Sequence, residues 1–79
     1  MPAARAETTR QQIAERITVA LIPDAADHLQ QLVTSTGLSK TDVVNRAISL
    51  YRFIDAQLRT GHDLLIRDPS GQTQLVKLL

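Results

Sequence analysis

The sequence contains no cysteine, which excludes disulfides and thiolate metal sites. It has one tyrosine, one phenylalanine and no tryptophan, so a core must be built almost entirely from aliphatic side chains. The only histidines, His28 and His62, are far apart, and no local metal-binding spacing joins them. No apolar run approaches the roughly 20 residues that span a bilayer. The first residues, "MPAARAETTRQQIAER", lack the apolar centre of a signal peptide, so a cytoplasmic protein is expected. Charge of one sign is also missing: nine Lys and Arg against eight Asp and Glu leave a net charge of +1. That balance disfavours indiscriminate polyanion binding, while allowing a small cationic face compensated elsewhere. Signatures of catalysis are absent too, with no glycine-rich phosphate loop, His-Glu metal motif or nucleophile elbow. The carboxylates are scattered at helix ends and on solvated faces. No catalytic residue, metal or cofactor is assigned, and an enzyme is not expected.

A chain of 79 residues is close to the size at which one core ceases to be sufficient. With disulfides and metals excluded, self-association is the remaining means of stabilisation.

Against this background, "RITVALIP" has a clear pattern. From Arg16 to Ile22, polar or small residues alternate with apolar ones, the period of a half-buried strand. Pro23 ends the strand and suits the first turn of a helix. In "DAADHLQQLVTSTG", Leu29, Leu32 and Val33 share one face at helical spacing, and Gly37 is a suitable stop. A second helix follows in "LSKTDVVNRAISLYRFIDAQLRTG", with Ser39 as N-cap and Gly61 as terminator. Its stripe of Val44, Ala47, Ile48, Tyr51 and Leu58 is widened by Val43, Leu50 and Phe53. An arc this broad predicts burial on more than one side. Arg46, Arg52 and Arg59, interleaved with Asp42 and Asp55, read as the solvated face of the same helix. In the tail, Leu64–Ile66 and Leu75–Leu79 flank "DPSG", which predicts a β-hairpin. Three segments result: a flexible arm over 1–14, a strand–helix–helix unit over 15–61, and the hairpin extension over 62–79.

The strand at Arg16 has no partner in this scheme. If two chains align this strand antiparallel about a two-fold axis, both strands gain a ladder and lose an exposed edge. Ile17, Val19 and Leu21 then face the helices, while Arg16, Thr18 and Ala20 face outward on a two-stranded ribbon. Such a ribbon is narrow enough for the DNA major groove.

Over residues 16 to about 60, "RITVALIP" and "DAADHLQQLVTSTGLSKTDVVNRAISLY" resemble the ribbon-helix-helix family of DNA-binding regulators, which includes the methionine repressor and Arc types. The resemblance implies a mainly α, obligate homodimer with an intermolecular antiparallel β-ribbon, here extended by the hairpin. It implies that Arg16, Thr18 and Ala20 read base edges; Ala20 departs from the polar residue often found there and offers only a methyl contact. It further implies that Ser39, Lys40 and Thr41, at the start of the second helix, hold a phosphate. Ile17, Val19, Leu21, Leu29, Val44, Ile48 and Tyr51 would form the dimer core. Arg5 and Arg10 could extend the surface along the DNA backbone or minor groove.

Taken singly, Ser39 is an adequate N-cap without any ligand, Lys40 an ordinary exposed lysine and Thr18 an ordinary strand residue. Their joint placement carries the reading of a sequence-specific double-stranded-DNA-binding regulator, a repressor above all, acting on palindromic or repeated half-sites. Two alternatives stay open. One is an antitoxin that regulates its own operon and engages a toxin partner; the other is a protein-interaction module without DNA binding. The apolar hairpin is expected to support oligomerisation, up to a tetramer.

Overall fold

The computed structural model describes residues 12–78. Within them the chain forms two helices followed by a two-stranded antiparallel sheet. Arg5, Arg10 and most of the expected arm lie outside the described residues, as does Leu79.

Helix α1, Pro23–Thr36, starts where the pattern changes from alternation to helical spacing. Ile22 is extended, with φ −68° and ψ 158°, and its carbonyl accepts the Ala26 N–H at 3.0 Å. Pro23 occupies the first helical position, where a missing N–H costs nothing, and Asp24 sits against the positive end of the helix dipole. Gly37 ends α1 at φ +74°, donating its N–H to the Val33 carbonyl at 3.0 Å. A side-chain-bearing residue enters that left-handed region only with strain, which is why glycine terminates the helix. The Thr36 hydroxyl tightens the exit, donating to the Leu32 carbonyl at 2.6 Å and accepting the Leu38 N–H at 3.2 Å.

Helix α2, Lys40–Arg59, follows after only three residues, Gly37 to Ser39. At its far end, the Gly61 N–H reaches the Leu58 carbonyl and the His62 N–H reaches the Gln57 carbonyl, each at 3.0 Å. This paired arrangement satisfies carbonyls that the helix leaves open and turns the chain toward the hairpin.

Strands β1, Leu64–Arg67, and β2, Thr73–Val76, pair with Leu64 opposite Val76, Leu65 opposite Leu75, Ile66 opposite Gln74 and Arg67 opposite Thr73. The expected hairpin is present with corrected bounds: β1 continues one residue past Ile66 to Arg67, and β2 begins at Thr73 rather than Leu75 and stops at Val76. The turn sets this register. Asp68 donates its N–H to the Gln72 carbonyl at 2.8 Å, so pairing resumes at once with Thr73. Two polar residues therefore join the strand, and Lys77 and Leu78 fall beyond the ladder.

Packing runs in sequence order, with α1 against α2 and α2 against β1. The common core is minimal. Val43, at 7% exposure, is the one buried apolar residue among the described residues. Val44, Ile48, Leu50, Tyr51 and Phe53 all remain exposed along α2. The broad apolar arc of this helix is thus covered by α1 on one side, met by β1, and otherwise open. The strand expected over Arg16–Ile22 makes no ladder within the chain, because the hairpin strands are the only ones among the described residues and they pair with each other.

Candidate nucleic-acid interface

Two groups of residues were singled out by their sequence, and the fold presents each on its own element. The first lies on the irregular segment leading into α1. Arg16, Thr18 and Ala20 are exposed there, and no ion pair engages Arg16 among the described residues. The alternate residues are exposed too: Ile17 at 60%, Val19 at 59% and Leu21 at 47%. Both sides of this alternating segment are therefore open in the single chain, the apolar side as much as the polar one.

The second group is at the start of α2. Ser39 takes the extended conformation of an N-cap, φ −69° and ψ 164°, and its Oγ accepts the Asp42 N–H at 3.0 Å. Its carbonyl accepts the Val43 N–H at 2.9 Å. These bonds engage the third and fourth N–H groups of the helix. The N–H groups of Lys40 and Thr41 make no bond to protein among the described residues, and the side chains of both residues are exposed. Two open donors at the positive end of a helix dipole, beside an ammonium group, form an arrangement that can accept an anion. The Asn45 amide donates to the Thr41 carbonyl at 2.8 Å, which stiffens this first turn. Sequence reasoning did not single out Asn45, although its spacing of four residues from Thr41 is a signal that could have found it.

The residues expected in a dimer core are distributed in the same open manner. Leu29 is half-buried on α1, whereas Val44, Ile48 and Tyr51 are exposed on α2. No protein-family model, curated protein or solved structure matches the chain.

The remaining charges are arranged differently. Arg59 donates Nε to Asp55 Oδ2 at 2.8 Å, four residues back on the same helix, and the carboxylate holds the guanidinium above its ordinary value, chiefly through this bond. This pair belongs to a solvated helix face, as expected for that row of arginines. His62 Nδ1 lies 2.7 Å from Gln57 Oε1 and 3.3 Å from Thr60 Oγ1, in the turn after α2. Its partners are neutral groups of its own turn, and it belongs to the helix end rather than to a site. Among the described residues, no group of three or more His, Asp or Glu is placed to hold a metal ion. No helix among them is long and apolar enough to cross a membrane.

Proposed function

We propose that this chain is a homodimeric, sequence-specific DNA-binding regulator of the ribbon-helix-helix kind, acting as a repressor. The observation that carries the reading is the alternating segment Arg16–Ile22, open on both sides and directly ahead of α1, in a chain where Val43 is the one buried apolar side chain among the described residues. A second copy of the same segment, antiparallel about a two-fold axis, supplies the missing ladder. It also covers Ile17, Val19 and Leu21, each worth about 1.5–3 kcal/mol when fully buried. The helices of the partner supply cover for Val44, Ile48 and Tyr51.

The opposite side of the ribbon then carries Arg16, Thr18 and Ala20 from both chains. Arg16 can donate two hydrogen bonds to guanine, and Thr18 can bond a base or pack its methyl group on thymine. Ala20 contributes a methyl surface only, so sequence discrimination rests on the other two positions. The free N–H groups of Lys40 and Thr41, the Ser39 hydroxyl proton and the Lys40 ammonium receive a phosphate on each flank and fix the ribbon in register. The C-terminal segment is a paired hairpin, which supports a regulator over an antitoxin whose tail wraps a toxin.

Selection of bound fragments from random double-stranded DNA tests the proposal. The expected product is a palindromic or repeated half-site whose affinity falls steeply with salt. Recovery of unenriched sequence, together with salt-independent or absent binding, would refute it.

A further inference from the structure

We infer that β1 is a second self-association surface, at which two copies join their hairpins into one four-stranded antiparallel sheet. This contact uses the hairpin alone and is separate from the ribbon.

The register fixes which backbone groups are free. Asp68 and Gln72 are joined by a backbone hydrogen bond, so bonded and non-bonded pairs alternate from there along the hairpin. Ile66 and Leu64 direct their N–H and C=O groups toward β2. Arg67 and Leu65, and Asp63 one step beyond the ladder, direct theirs outward from the β1 edge. A second copy of this edge, antiparallel and centred on Leu65, matches every one of these groups. Leu65 bonds its own counterpart, and Asp63 bonds the partner's Arg67 in both directions.

Charge favours this register. Side chains directly opposite in antiparallel strands share a face, so Asp63 meets the partner's Arg67 twice, once on each side of the axis. The equivalent pairing of β2 about Leu75 sets Thr73 opposite the partner's Lys77 and gains no such pair. Apolar surface agrees as well. Leu65 and Leu75 are opposite each other and exposed at 54% and 47%, so the joined sheet carries a continuous row of four leucines across one face. On the other face, Ile66, 58% exposed, comes beside the partner's Leu64. The β1 edge carries no proline, and its one charged residue, Arg67, is answered in this register by the partner's Asp63.

The absence of native cysteine makes the test direct. Residues at the two-fold position of a hydrogen-bonded antiparallel pair have Cα atoms about 5.5 Å apart, within disulfide range. Leu65→Cys in the full chain should therefore form a disulfide-linked dimer under mild oxidation, and Leu75→Cys should not. Adding Asp63→Arg to Leu65→Cys should slow cross-linking about tenfold, since two attractions become two repulsions. Adding Arg67→Asp as well restores the pairs and should restore the rate, which separates the contact from a damaged hairpin. Cross-linking through residue 75 in place of 65, no cross-linking from either, or indifference to the charge reversal overturns the inference. A chain that cross-links through residue 65 and binds no DNA refutes the DNA-binding reading alone. A chain that binds DNA without this cross-link refutes the hairpin contact alone.

Discussion

The Ser39 hydroxyl oxygen accepts the Asp42 N–H at 3.0 Å, so the residue that begins α2 is both a cap and a neighbour of two unbonded N–H groups. Substitution can separate these roles. Ser39→Ala removes the cap and should lower stability by about 1 kcal/mol in denaturant unfolding. Ser39→Asp keeps a capping oxygen and adds a negative charge where a phosphate is proposed to sit. It should preserve stability and weaken DNA binding. If Ser39→Asp binds DNA as well as the parent, no phosphate occupies this helix start.

The two cationic contacts should differ in kind. Arg16→Ala should cost about 1–3 kcal/mol of specific binding and relax preference at one base position. Lys40→Ala should weaken binding to all sequences alike and reduce the salt slope by roughly one. Titrations of specific and scrambled DNA at several salt concentrations distinguish these outcomes. Identical salt slopes for the parent and Lys40→Ala would remove Lys40 from the interface.

Assembly through the ribbon is tested on its apolar side. Val19→Asp places a carboxylate where the partner's helices are proposed to pack, twice in each dimer. Combined with Asp63→Arg, which blocks the hairpin contact, it should abolish the dimer in sedimentation and remove the dependence of melting on protein concentration. Ala20→Thr, one residue on and facing the other way, should leave the mass unchanged and alter DNA preference. If Val19→Asp with Asp63→Arg retains the dimer, the two chains do not meet through this strand.

Ser39, Gly37 and Gly61 were legible in the sequence because capping and termination are local chemistry, decided within a few residues. The turn at "DPSG" was legible for the same reason. The start of β2 was not, since Thr73 and Gln74 are polar. They join the strand because the bond between Asp68 and Gln72 sets the register, not because of their own preference. The open apolar arc of α2 was visible as a pattern too broad for one neighbour. What covers it is not written in the periodicity, because an intermolecular contact leaves the same alternation as an intramolecular one. Val43 illustrates the limit: in the sequence it is one of several residues widening a stripe, and it is the single buried apolar residue among the described residues.

The hairpin should carry its own pH dependence through Asp68. The Oδ1 atom accepts the Ser70 hydroxyl at 2.7 Å and the N–H groups of Ser70 and Gln72 at 3.0 Å each. The Ser70 hydroxyl first, and then the Gln72 N–H, hold the carboxyl below its ordinary value of 3.8. A carboxyl depressed in the folded state stabilises above the unfolded titration range and loses that contribution as pH falls through the folded value. The turn should therefore be constant from neutral pH down to the ordinary carboxylate range and loosen only below it. Amide resonances of Ser70 and Gln72, followed by NMR during acidification, report this directly. In Asp68→Ala, the same amides should lose their hydrogen-bonded shifts at every pH while the α2 resonances stay in place. If the parent turn loosens well above the ordinary carboxylate range, a group other than Asp68 controls it.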